Sequence, residues 1–166
     1  MNKKEHLPMY GIGPLCVALM IIPLLIMSVL YYMGYLISGE INHLKYLFYF
    51  AGIIFIFSGI YMWIQAVLIS KIDDSIKENK LLTSGVYAWV RNPIYSAFAI
   101  AITGISLLFT NLWFLIIPPL CWTSITVTMK LTEEKWLNNV YGKEYAEYCR
   151  KVNRCIPWFP KKDSEK

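Results

Sequence analysis

Arg91, Asn92 and Pro93 stand in a row at the head of a long uncharged segment, and Glu133 and Glu134 stand in a row beyond its far end. An arginine fork matches a carboxylate, and a carboxylate pair suits an ammonium or another cation. Around the first block lie Gly85, Tyr87 and Tyr95, all within Thr-Ser-Gly-Val-Tyr-Ala-Trp-Val-Arg-Asn-Pro-Ile-Tyr, residues 83–95. After the second block comes a basic set, Arg150, Lys151 and Arg154. The same residues also have plain structural readings. Arg91 can anchor a helix end, Glu133 and Glu134 can fill the first turn of a helix capped by Thr132, and the tyrosines can sit at an interface.

The elements that must position these residues follow from the distribution of charge. The chain is 57% hydrophobic and 16% charged, and residues 6–39, 46–70 and 92–129 contain no Asp, Glu, Lys or Arg. A bilayer core needs about 20 apolar helical residues, so each run is long enough to cross. The sequence predicts an all-α integral membrane protein, one domain over 1–166, with membrane helices at about 11–37, 46–70, 93–109 and 112–129. The first run is too long for the apolar part of a signal peptide and no cleavage pattern follows it. A single helix over 92–129 would extend about 57 Å, so a break at Thr110-Asn111 is required. Pro23 and the pair Pro118-Pro119 are expected to bend their helices, Gly39 to stop the first one, and Gly52, Ser58 and Gly59 to admit a close helical neighbour. Thr132–Arg150 has helical spacing of Trp136, Leu137, Val140 and Tyr141, which predicts an amphipathic C-terminal helix interrupted at Gly142. The six residues after Pro160 read as a mobile tail.

Lysine and arginine orient this bundle. Two lie before the first run, four in 71–92 and nine from 130 onward, whereas the opposite face has only Lys45. That asymmetry predicts both termini and the 71–92 loop on the cytoplasmic side. The basic residues flank apolar runs and form no tract, which argues against nucleic acid as a partner. Two histidines and four cysteines without a C-x-x-C leave no metal-ligand pattern.

The stretch T-S-G-V-Y-A-W-V-R-N-P-I-Y followed by E-E-K-W-L-N-N-V-Y-G-K-E-Y-A-E-Y-C-R-K-V resembles the isoprenylcysteine carboxyl methyltransferase family, part of a wider group of membrane methyltransferases that includes phospholipid methyltransferases. The likeness covers roughly residues 81–160. It implies an enzyme that uses S-adenosyl-L-methionine without a soluble dinucleotide-type domain, and no G-x-G-x-x-G is present to host one. Carried over by position, it implies cofactor contacts from Gly85, Tyr87, Asn92, Pro93, Tyr95, Glu133 and Glu134, catalytic roles for Arg91 and Glu134, and a weaker substrate or anion contact from Arg150, Lys151 and Arg154. The family's usual histidine is Asn92 here, and an amide cannot titrate.

Methyl transfer from a sulfonium is an in-line displacement, so the protein mainly aligns the partners and excludes water. A carboxylate acceptor needs no general base, whereas an amine must first lose a proton. The resemblance therefore implies methylation of a lipidic or small amphiphilic acceptor among membrane lipids, with carboxyl O-methylation of an isoprenylcysteine-like group as the leading form. Phospholipid N-methylation and a non-catalytic multi-pass protein are the alternatives. Four spans with a compact tail look like a prokaryotic relative in the cell membrane. The sequence carries no signal of oligomeric state.

Overall fold

A computed structural model describes residues 12–70 and 80–161. The lysines at 3, 4, 71 and 77 counted for orientation, and the tail after Lys161, lie outside the described residues. Six α-helices form among the described residues: α1 Gly13–Tyr32, α2 Lys45–Ile64, α3 Pro93–Leu108, α4 Ile117–Leu131, α5 Glu133–Tyr141 and α6 Lys143–Lys151. Among the described residues there is no β-strand, only two isolated bridges, Glu40 with Asn111 and Val90 with Asn153. Three segments among the described residues are long and apolar enough to cross a membrane, Gly13–Tyr32, Lys45–Ile69 and Leu112–Tyr141, the pattern of a multi-pass membrane protein. α3 is shorter, at 16 residues.

The prolines shape the helices differently from expectation. Pro118 and Pro119 open α4 and do not bend it. Neither can donate to the carbonyls of Phe114 and Leu115, so Leu112–Ile116 winds as a 3₁₀ turn and regular α-helix starts at Ile117. Pro93 likewise begins α3, where a missing N–H breaks no helical bond. Pro23 is accommodated inside α1.

α1 stops at Tyr32, five residues short of the predicted end. Gly34, at φ +83°, turns the chain, and the Tyr35 amide donates to the Leu30 carbonyl. Gly39 is buried lower down, where any side chain would run into Asn111 and Trp113. The break at Thr110-Asn111 is where the sequence placed it. Thr110 adopts φ +46°, and Asn111, 1% exposed, accepts from the Trp113 amide and donates to the Leu36 carbonyl at 2.7 Å. The α1–α2 and α3–α4 connections are thus tied together at one end of the bundle.

α2 and α3 run antiparallel at very short range. A Cβ added at Gly52 would sit 2.8 Å from the Gly104 carbonyl oxygen, and one at Gly59 would sit 2.7 Å from that of Ala97. Gly52 and Gly59 therefore serve as the expected close contact, while Ser58 is exposed. A second layer packs α1 on α4: Cys16, Met20 and Leu24 meet Ile117, Cys121, Ile125 and Met129, with Cys155 at the edge.

The expected C-terminal amphipathic helix is two helices, α5 and α6, split at Gly142 with φ +54° and ψ −120°. Tyr145, Tyr148 and Val152 form their own buried cluster with Leu137 and Tyr141. After α6 the chain runs as a bent, non-helical strap across residues 89–96, and the Lys161 amide returns to the Lys151 carbonyl at 2.8 Å.

Candidate functional site

The α3–α4 hairpin brings its two ends together at the pole opposite the Asn111 corner. Arg91 Nη1 lies 3.1 Å from Glu134 Oε1, with the two side chains only 9% and 13% exposed. Arg154 closes on the same carboxylate from the strap: its Nε donates to Oε1 at 2.6 Å and its Nη2 to Oε2 at 2.9 Å. Glu134 therefore carries a two-toothed bond from one arginine and an ion pair from another. The hydrogen bond from Arg154 to Glu134 also raises the arginine's pKa. A guanidinium pair on one carboxylate leaves the Glu134 cluster one positive charge in excess, suited to an anionic group.

Glu133 goes elsewhere. Adjacent helical positions point about 100° apart, and its Oε1 accepts from the Tyr95 hydroxyl at 2.7 Å. Tyr95 in turn lies against the start of α1, where a Cβ on Gly13 would stand 3.2 Å from its hydroxyl. Thr132 occupies the cap position of α5, but its hydroxyl donates back to the Thr128 carbonyl at 2.6 Å and caps nothing.

Three further members were not singled out in the sequence. Cys149 accepts a hydrogen bond from Arg91 Nη1. Tyr148 donates to the Tyr87 carbonyl at 2.6 Å, and Ser96 donates to the Cys155 carbonyl at 2.6 Å. The spacing E-Y-x-x-Y was the available signal for Tyr148, because Tyr145 and Tyr148 then share one helix face. Burial pushes the Tyr87 and Tyr148 hydroxyls above their usual range, so both stay protonated donors at neutral pH.

Of the predicted residues, Tyr87, Arg91, Tyr95, Glu133, Glu134 and Arg154 are gathered at this pole. Asn92 and Pro93 are buried at the start of α3, with the Asn92 side chain turned to the strap. Gly85 supplies a left-handed turn at φ +62° and is itself exposed. Arg150 and Lys151 are exposed on α6, outside the Glu134 cluster. Two buried polar atoms at the site, the Tyr87 hydroxyl and Arg91 Nε, have no hydrogen-bond partner among the described residues. Such atoms are costly unless something bonds them. A ligand with carboxylate and hydroxyl groups would satisfy both.

Beside the cluster an apolar groove of about 330 Å³ runs between α2, α3, α4 and the strap. Ser96 and Cys155 line it at the cluster end, and Phe55, Trp122 and Trp158 line its flanks.

A model of the phospholipid methyltransferase family matches residues 46–144, and the chain belongs to that family. The chain is also 33% identical over 84 residues to protein-S-isoprenylcysteine O-methyltransferase of Schizosaccharomyces pombe, covering 51% of this chain and 36% of that protein. It is 33% identical over 88 residues to probable protein-S-isoprenylcysteine O-methyltransferase of Oryza sativa subsp. indica, covering 49% and 42% respectively. The matched part thus spans about two-fifths of the length of these curated relatives. No solved structure matches.

Proposed function

We propose that the protein is an S-adenosylmethionine-dependent methyltransferase working at the cytoplasmic face of the membrane on a lipidic or small amphiphilic acceptor. The observation that carries this is the meeting of Arg91 and Glu134, 3.1 Å apart and partly buried, beside the unpartnered Tyr87 hydroxyl and Arg91 Nε. When bound, the cofactor supplies a methyl group activated on a sulfonium sulfur.

Arg91 is the residue we assign to bind the cofactor's carboxylate, through the Nε–H that has no partner while Glu134 and Cys149 take up Nη1. Glu134 holds the Arg91 and Arg154 guanidinium groups in register. Glu133, oriented by Tyr95, is the carboxylate left to face an ammonium. Tyr87, a protonated donor, takes a cofactor hydroxyl. The strap covers the site and excludes water, which strengthens each of these contacts.

The acceptor follows from the surroundings. The groove beginning at Ser96 and Cys155 is apolar and flanked by membrane helices, which suits a hydrocarbon tail whose head reaches the cluster. No histidine lies in the described site, so an acceptor already ionised at neutral pH, such as a carboxylate, suits it best. The names of the isoprenylcysteine relatives favour that reading. The description of the matched family favours a phospholipid amine as the second.

We further read α3 as a fourth crossing. It lies along α2 from Gly52–Gly104 to Gly59–Ala97, so it traverses the same slab, although at about 24 Å it is shorter than the usual core. The Asn111 corner and the site then fall on opposite faces, with the site cytoplasmic by charge asymmetry.

The test is calorimetric titration of the folded, detergent-purified protein with S-adenosylmethionine, followed by incubation of membranes with methyl-labelled cofactor. Saturable binding and label in the lipid-extractable fraction are expected. Absence of binding by folded protein would reject the reading. Base-labile label marks a carboxyl ester and base-stable label an amine.

A further inference from the structure

The strap that carries Arg154 has no helix to hold it. Its backbone is fixed by a row of donors from the start of α3. The Arg91 amide donates to the Asn153 carbonyl at 2.8 Å, and the Ser96 hydroxyl takes the Cys155 carbonyl at 2.6 Å. Between them, the Arg154 carbonyl is held twice by one residue: by the Asn92 amide at 3.2 Å and by Asn92 Nδ2 at 3.0 Å. Pro93 follows and has no N–H, so the backbone offers no donor at the next position. The next carbonyl, that of Cys155, is taken by the Ser96 hydroxyl, and the Asn92 side chain adds a second donor to the Arg154 carbonyl.

Asn92 occupies the cap position of α3, where asparagine ordinarily turns its side chain onto the helix's own amides. Here it makes no such bond. The residue is buried, at 8% exposed, and its side-chain amide is committed to the strap. With the Arg154 backbone clamped in this way, the guanidinium falls on Glu134 at 2.6 and 2.9 Å.

We propose that Asn92 is a positioning residue that clamps the strap at the Arg154 carbonyl and thereby sets the Arg154 fork on Glu134. The inference deepens the cofactor-site reading and rests on it for its effect on affinity. The clamp itself does not depend on that reading. What the position requires is an N–H donor of modest reach. An imidazole N–H can supply it, whereas an aspartate of the same shape sets an oxygen against the carbonyl.

The experiment compares the full-length wild type with N92D, N92H, R154A and N92D/R154A. Two quantities are measured: affinity for S-adenosylmethionine by calorimetry, and hydrogen exchange of peptides covering residues 89–96 and 156–161. N92D is expected to weaken binding about tenfold, the scale of an exchanged buried hydrogen bond, and to speed exchange at the Asn92 and Trp158 amides. N92H is expected to restore both to within about threefold of wild type. In the R154A background, N92D should change affinity less than about twofold, because the two act as one unit.

Wild-type affinity and exchange in N92D would overturn the proposal. Full additivity with R154A would overturn it as well, since Asn92 would then be acting on the ligand directly. So would an N92H as impaired as N92D. If N92D does not fold, N92A carries the same comparison with a smaller expected loss, about threefold. If the wild type binds no S-adenosylmethionine, the cofactor reading fails, and the exchange measurement alone still decides the clamp.

Discussion

Glu134 is where the chemistry of single residues decides most. Both its oxygens are engaged by guanidinium groups, and it is 13% exposed, so neutralising it leaves two facing cations with a poor acceptor between them. E134Q should weaken S-adenosylmethionine binding at least about tenfold and lower stability by about 2 kcal/mol, the scale of a charge-assisted bond in a partly buried site. Calorimetry and denaturant unfolding in detergent measure the two effects. R91K should also weaken binding about tenfold, because a single point-like ammonium cannot reproduce the planar fork that meets Glu134 and Cys149 through Nη1 while Nε is held apart for a ligand. R91K with wild-type affinity would remove Arg91 from the site. Y148F removes the donor to the buried Tyr87 carbonyl, and should lower unfolding stability by about 1 kcal/mol.

At the scale of elements, backbone packing between α2 and α3 sets the frame on which the site hangs. A Cβ at Gly104 would lie 2.6 Å from the Gly52 carbonyl oxygen, a distance that neither rigid backbone can relieve. G104V should therefore cost roughly 3 kcal/mol or more, seen as a lower unfolding midpoint in detergent, whereas S58A at an exposed position should leave it unchanged. The α5–α6 joint makes a different demand. A Cβ at Gly142 would meet nothing within 4 Å, yet the backbone there has φ +54° and ψ −120°, a conformation open only to glycine. G142A should thus cost about 1–3 kcal/mol through strain alone. A neutral G142A would mean that α5 and α6 can join as one helix.

For the whole molecule, the two poles make an orientation prediction. Cysteines introduced near Glu40, beside the Asn111 corner, and near Lys161 on the strap should label from opposite sides of sealed vesicles, with Lys161 on the cytoplasmic side. Labelling of both from one side would mean that α3 does not cross. The family match covers residues 46–144, whereas Arg154 and the α1 contact to Tyr95 come from outside it. The site is thus assembled from matched and unmatched parts of the chain.

Local rules made much of this legible in advance. Unbroken apolar runs must be helical where backbone groups cannot reach water, and 38 uncharged residues cannot be one such helix, so Thr110-Asn111 had to break it. Gly52 and Gly59 announced a close neighbour because small residues let two helix backbones approach. The R-N-P and E-E blocks could be paired across a hairpin because its ends must meet. Local rules also misled at Pro118-Pro119, where the 3₁₀ turn before them made a helix start out of an expected bend. They split Gly39 from its task in the same way, since Gly34 reached the left-handed turn first. Side-chain partners were another matter. Glu133 and Glu134 are neighbours of identical chemistry, and only the packing of α1, α3 and the strap gives one a tyrosine and the other two arginines. Asn92 was legible in the sequence only as a pocket residue in the place of the family's histidine. Its use as a clamp depends on Arg154, 62 residues away in the chain, and a partner chosen at that distance is decided by tertiary structure alone.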